Sequence, residues 1–247
     1  MLDYVKSICN SQALDEVWKI HCDAMKSFGF DRLIYGYSRF MRENGLSPRE
    51  DSLFLTMHDP AYIKRYIEDE MYFDAPMVYW AYQNVGAIGW DWVKNNLDQM
   101  NERQLEVVRF NQEMNVTAGY TISFAESSRR SKGSIALTAE AGTDQAQLDE
   151  MWREHGEQII AMNNVAHLKI ISLPHDTARS KLSARQREVL EWVGDGKTNQ
   201  DVATIMGVTP ATVEKHLRIA REKLGVDTTA QALLKMSLLN QIYTPKE

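Results

Sequence analysis

The sequence predicts an α+β protein in two parts. The first is an N-terminal α/β/α sandwich around a largely antiparallel sheet of about five strands. The second is a smaller all-α unit at the C-terminus. Three observations lead there. A chain of 247 residues suits two domains. Over residues 1–171, short runs rich in Ile, Tyr, Phe and Thr alternate with amphipathic helical patterns. The last quarter holds only closely spaced helical patterns, each with its own start and stop signals.

The elements follow in order. Asn10 or Ser11 starts a helix to about Phe28, with Leu14, Val17, Trp18, Cys22 and Met25 on one face; Gly29 stops it. Asp31–Phe40 and Ser52–Met57 read as strands, separated by a Gly-, Pro- and charge-bearing loop over 41–51. Asp59 and Pro60 open a helix through Ile67 that places Tyr62 and Tyr66 one turn apart. Pro76 starts a short helix through Tyr82, and Val85–Trp90 is a strand. Asn101 caps a helix carrying Leu105, Val108 and Met114. Tyr120–Phe124 and Gly133–Thr138 are two more strands, joined by the polar segment Glu126–Lys132. Thr143 caps a long helix to about Ile171. The segment 172–181 contains proline and polar residues and reads as a linker. Residues 1–171 and 182–247 are then the two domains.

Composition narrows the function. With 44% hydrophobic and 25% charged residues, this is the make-up of a globular protein. No run of about 18 apolar residues exists to span a membrane, and MLDYVKSICN is not a secretory signal. Cys9 and Cys22 have no CxxC spacing, so a cytoplasmic location is expected and no metal site or disulfide framework is. The net charge is −6, but it is unevenly divided. Residues 1–174 hold 17 basic and 25 acidic side chains, whereas 175–247 hold 11 and 9. The C-terminal part alone is basic. Its excess is mild, so phosphate attraction alone would be weak, and dimerisation would be needed to double the contacts.

The C-terminal patterns are specific. Ser183 caps a first helix with Val189, Leu190 and Val193, ended by Gly194 and Gly196. Thr198 caps a short second helix carrying Val202, Ala203 and Ile205, and Gly207 supplies a tight turn. Thr209 and Pro210 start a third, whose Val213, Leu217 and Ala220 form one apolar face. A last amphipathic helix spans Thr229–Ile242. This is a helix-turn-helix, and its third helix would present polar side chains to a major groove. Arg185, Glu188, Leu190, Gly196, Lys197, Thr198, Ala203, Thr212, Val213, His216, Leu217, Lys223, Leu224 and Ala232 resemble the DNA-binding domain of LuxR-type transcription regulators. The resemblance implies that Glu214 and Arg218 face base edges. Thr209, Thr212, Lys215 and Arg221 complete the expected DNA-binding set; Thr212, Lys215 and Arg221 would hold the backbone. It also implies a homodimer on a palindromic double-stranded operator, and RNA polymerase as a partner if the regulator activates.

Between Met57 and Trp90 lies a dense set of aromatics: Tyr62, Tyr66, Tyr72, Phe73, Tyr79, Trp80, Tyr82 and Trp90. Core packing accounts for most of them. Buried Tyr and Trp also need hydrogen-bond partners, which suits an apolar cavity with a few polar groups. The spacing of Tyr62, Tyr66, Pro76, Trp90 and Gly119 resembles the autoinducer-binding domain of the same family. That resemblance implies a small-molecule signal, an N-acyl-homoserine lactone, and no other cofactor. In the family a tryptophan donates to the lactone carbonyl, an aspartate accepts from the ligand amide, and a tyrosine donates to the acyl carbonyl. Here Tyr62 stands in the tryptophan position and His58 in the tyrosine position. Gapless alignment puts Ala75 where the aspartate belongs. Asp74 next door is either a shifted acceptor or the cap of the helix at Pro76. If Asp74 points away, the alternatives are a non-standard lactone such as an aryl or long-chain one, a non-lactone metabolite, or a ligand-independent regulator of the same family. Thr138 is a further hydrogen-bonding candidate on the sheet, and Gly119 marks a close backbone approach.

Two other functions fit less well. A phosphorylation-controlled receiver begins with alternating parallel strands and paired acids, whereas this chain opens with an amphipathic helix. An enzyme such as an acyl-lactone hydrolase needs catalytic residues. GxSxG and HExxH are absent and the six histidines are scattered, so none are expected.

Overall fold

The computed structural model describes residues 1–41, 47–175, 177 and 181–243. The chain divides into two units, Met1–Leu173 and Pro174–Glu247. The division lies within the expected linker; residues 176 and 178–180 of that linker lie outside the described residues. So do residues 42–46 of the expected loop.

The first unit is built on five strands: β1 (Phe30–Ser38), β2 (Ser52–Thr56), β3 (Gly86–Gly89), β4 (Gly119–Ser123) and β5 (Lys132–Ala139). Their order is β2-β1-β5-β4-β3, and every neighbouring pair is antiparallel. Side chains alternate across a strand, so one sequence feeds two faces. Leu33 and Tyr35 on β1, Ile135 and Leu137 on β5, and Tyr120 and Ile122 on β4 join one buried cluster. Their neighbours Ile34 and Ala136 pack into a second cluster on the opposite face. Ile34 pairs with Ala136, and Ala136 with Thr121, so this second face is continuous across three strands.

The first face is covered by α1 (Leu2–Asn10), α2 (Leu14–Lys26) and α7 (Gln145–Ser172). Sequence predicted one helix from Asn10 or Ser11; the structure has two. Ser11 does not cap the second but closes the first, its buried hydroxyl donating to the Ser7 carbonyl at 2.9 Å. Ile8 of α1 is fully buried, with Tyr4 packed beside the same core. The long helix begins after Asp144 rather than Thr143. Within this layer His21 lies between the Tyr4 hydroxyl at 2.8 Å and the Asn163 amide oxygen at 3.0 Å.

The other face carries α3 (Pro60–Ile63), α4 (Pro76–Gln83), α5 (Asp91–Asn95) and α6 (Glu102–Glu113). Asp59 caps α3 by accepting from the Ala61 amide at 2.7 Å. The helix then widens into a π-helical turn over Lys64–Glu68, a feature that recurs at functional sites. Asn101 and Gln104 form a capping box on α6. The fully inward residues of α6 are Val107 and Phe110 rather than Leu105, Val108 and Met114. Apolar spacing alone left the rotation of this helix open by one position. The short α5 had no strong signal of its own.

The second unit contains α8 (Ala184–Gly194), α9 (Asn199–Met206), α10 (Pro210–Leu224) and α11 (Thr229–Leu238). Ser183, Thr198 and Thr228 each make a capping box with the residue three positions on. Gly207 and Gly225 end α9 and α10 in the left-handed region, at φ 66° and 64°. Val189, Leu190, Val202, Val213, Leu217, Leu224 and Met236 form the core. The last helix ends four residues before Ile242, where Asn240 turns left-handed at φ 52°.

Candidate functional sites: two adjoining cavities and an exposed helix

The aromatic segment folds over the second face of the sheet and leaves a cavity of about 300 Å³. His58, Tyr62, Tyr66, Trp90 and Thr138 all line it, together with Ala75 and Asn111. The turn between Tyr62 and Tyr66 stacks their rings at 5.0 Å, and His58 also stacks on Tyr62, at 4.3 Å. The Tyr62 hydroxyl donates to the Asn111 side-chain oxygen at 3.0 Å. Burial pushes the Tyr62 and Tyr66 hydroxyls well above the usual phenol range, so both stay protonated donors. His58 is 5% exposed, and its Nε2 is 3.5 Å from the Thr138 hydroxyl. Burial, helped by the Arg32 charge, pushes His58 down to about 4, so it is neutral.

Trp90 is held by donating its indole N–H to the Thr121 hydroxyl at 2.9 Å. Gly119 makes that placement feasible. A Cβ there would run into the Leu137 carbonyl and lie 2.9 Å from two atoms of the Trp90 ring. Thr121 and Asn111 were not singled out from the sequence. Thr121 was reachable by alternation along β4, whereas Asn111 sits on α6, whose rotation the pattern left open.

Asp74 is not brought to this site. It lies in a separate cleft with Arg65, Arg103 and Glu106, and it does not cap α4. The cause is the 3₁₀ turn Met71–Asp74, where residues three apart share a face. Tyr72 and Ala75 therefore turn inward, at 5% and 2% exposure, and Asp74 turns away. No Asp or Glu is among the described residues lining the cavity.

A second cavity of about 100 Å³ adjoins the first and shares Ile34, Tyr66, Met77 and Ala136 with it. Ser38, Ser47, Ser52, Ser134, Thr121, Lys132 and four tyrosines, Tyr72 among them, are its polar lining residues. It too has no carboxylate among its described lining residues.

In the second unit α10 buries Val213, Leu217, Ala220 and Leu224 and exposes Glu214, Lys215 and Arg218. Thr209 caps the helix, accepting from the Thr212 amide at 3.2 Å. Arg218 pairs with Glu222 at 2.6 Å on the exposed surface. Arg221 is half-buried and engaged twice, donating to Glu214 at 2.9 Å and to the Thr229 hydroxyl at 3.0 Å. It braces α10 against α11. Glu214 also accepts from Asn199 at 3.2 Å, and the Arg221 bond holds its carboxyl below the usual range.

Residues 13–170 match the family described as the autoinducer binding domain, and residues 180–236 match bacterial regulatory proteins of the luxR family. The chain belongs to the LuxR family. It combines an autoinducer-binding domain with a DNA-binding helix-turn-helix, in a family of quorum-sensing transcription regulators rather than enzymes. The transcriptional activator AnoR of Acinetobacter nosocomialis is 27% identical over 231 residues, covering 91% of each chain. The activator CarR of Pectobacterium carotovorum subsp. carotovorum is 23% identical over 203 residues, covering 78% of this chain and 81% of CarR. Two solved structures share the fold. SdiA in complex with octanoyl-rac-glycerol aligns with TM-score 0.53 at 14% identity, covering 98% of this chain and 95% of SdiA. The N-acylhomoserine lactone dependent factor CepR2 from Burkholderia cenocepacia aligns with TM-score 0.55 at 12% identity, covering 69% and 92%. No helix among the described residues is long and apolar enough to cross a membrane.

Proposed function

We propose that this LuxR-family chain is a cytoplasmic, ligand-responsive regulator. It senses an N-acyl-homoserine lactone or a related acyl signal and binds a palindromic operator as a homodimer. The observation that carries this reading is the pair of adjoining cavities under the aromatic segment, open space in the middle of the first unit's second layer. A ligand filling that space adds apolar contacts to the folded state and stabilises it. Tyr66, His58 and Thr138 orient the ligand's carbonyls, Tyr62 presents its phenol, and Trp90 walls the head of the cavity.

In the second unit Arg218 reads a guanine and Glu214 accepts from a neighbouring base, while Thr209, Thr212 and Lys215 hold phosphates and Arg221 buttresses the helix through Glu214 and Thr229. The Arg218–Glu222 pair is exposed, so releasing it costs little. The two-fold symmetry of a dimer matches the two halves of the operator. An activator of this kind also contacts RNA polymerase.

One observation favours a second reading of the ligand. With Ala75 in the cavity and Asp74 outside it, no carboxylate among the described lining residues accepts a lactone's amide N–H. The missing bond costs the amide about 1–3 kcal/mol. An acyl ester has no N–H to satisfy, and the structural neighbour SdiA was solved with octanoyl glycerol. Thermal melting of the full chain with acyl-homoserine lactones, aryl-homoserine lactones and acylglycerols tests both readings. A selective rise in Tm for one class is expected. No rise with any class, in a chain that still binds DNA, would refute the sensing role.

A further inference from the structure

We propose that the smaller cavity is a separate subsite for a carboxylate at the far end of the signal. The proposal rests on the acyl-signal reading above and adds the chemistry of the ligand's other end. Three groups there point the same way. The Tyr72 hydroxyl is buried without a hydrogen-bond partner, on a side chain only 5% exposed. Such an orphaned donor is costly unless something outside the protein's own chain accepts from it. Ser134 lines the same cavity and has no side-chain hydrogen bond among the described residues. Lys132 reaches it with one N–H on the Asn84 carbonyl at 2.9 Å, leaving two to give.

All three can donate, Lys132 carries a positive charge that is offset only from a distance by Glu126, and no acid is among the described residues that line the cavity. A terminal methyl would leave the Tyr72 hydroxyl unsatisfied. An anionic oxygen pair accepts from all three, and charge-assisted bonds of this kind are the strong ones. The shared wall of Ile34, Tyr66, Met77 and Ala136 gives an acyl chain an apolar path from the larger cavity to the smaller. β5 places the donors at one end by simple alternation: Ser134, Ala136 and Thr138 share a face, with Thr138 at the larger cavity and Ser134 at the smaller.

The test is calorimetry on the full chain with matched probes. These are decanoyl-homoserine lactone and decanoylglycerol, each compared with its counterpart ending in a carboxylate instead of a methyl. The carboxylate probe of at least one series should bind about 10-fold tighter than its partner or better. Lys132→Met and Tyr72→Phe should each pull that ratio towards one. Tyr72→Phe removes only an unbonded hydroxyl, so it reads the ratio even if Lys132→Met does not fold. Equal or weaker binding of the carboxylate probes, or a ratio indifferent to both variants, overturns the subsite and leaves the acyl-signal reading standing. Binding of none of the four probes overturns that reading and the subsite with it.

Discussion

Ala75→Asp asks whether the alanine is what sets ligand choice. Ala75 is 2% exposed and lines the larger cavity, so a carboxylate placed there enters an apolar space. Two local effects act before any ligand arrives. Ala75 is the N-cap of α4, with extended backbone at φ −71° and ψ 125° and no side-chain cap. An aspartate there gains about 1 kcal/mol by capping. Its second oxygen, facing the cavity without a donor, loses about 1–3 kcal/mol. The unliganded variant should therefore lie between unchanged and about 2 kcal/mol less stable. Both effects are independent of the ligand and cancel in a ratio of two affinities. The ratio to measure is that of decanoyl-homoserine lactone to the lactone ester in which oxygen replaces the amide N–H. The new acceptor serves only the amide, so the ratio should rise about 5- to 150-fold over that of the native chain. Titration calorimetry on the two chains reads it. A ratio that stays within about twofold would mean that the ligand amide does not lie beside residue 75, and the account of ligand choice would fail.

Three further outcomes follow from the same geometry. Gly119→Ala puts a methyl against the Leu137 carbonyl and the Trp90 ring, neither of which is a flexible end. It should destabilise the first unit by about 3 kcal/mol and abolish the ligand-induced rise in Tm; a variant that melts and responds normally would refute the close approach. His58 and His21 both sit near 4 in the fold against an ordinary value of 6.5. The unfolded chain therefore takes up more protons between those values, so stability is full above about pH 6.5 and falls as pH drops towards 4. Urea melts at pH 7 and pH 5 should differ by about 2 kcal/mol per histidine, and His21→Asn should remove about half the difference. An unchanged pH dependence would contradict the buried neutral state. Arg218→Ala should weaken binding to the specific operator about 10- to 100-fold, whereas Lys215→Ala should weaken specific and scrambled DNA alike. Gel-shift titrations at fixed salt distinguish the two, and a uniform loss for Arg218→Ala would remove it from base reading.

Much of this was readable because the signals are local. Ser183, Thr198 and Thr209 cap helices in the sequence pattern and in the structure alike, since a cap needs only the amide three residues on. Strand alternation likewise puts Thr138 and Ala136 on the face that meets the aromatic segment. What was not readable depends on rotation and turn type. One extra position in the α6 pattern hid Val107, Phe110 and Asn111 as inward residues. A 3₁₀ turn rather than an α-helical one decides that Ala75 faces the cavity and Asp74 does not. The helix Leu2–Asn10 is hidden in the sequence because Ser11, which ends it, is also a residue type that starts helices. Arg221 had the composition of a phosphate contact, but its distance to Glu214 and Thr229 needed coordinates.

The central claim is that the cavities of the first unit control the grip of the second on DNA. Operator binding by the full chain, measured by fluorescence anisotropy with and without a saturating acyl ligand from the panel, tests it most directly. Coupling between the two sites should shift the DNA dissociation constant about 5- to 150-fold, and DNA should shift ligand affinity by the same factor. Superimposable DNA-binding curves, at a ligand concentration that raises the Tm of the first unit, would contradict the claim.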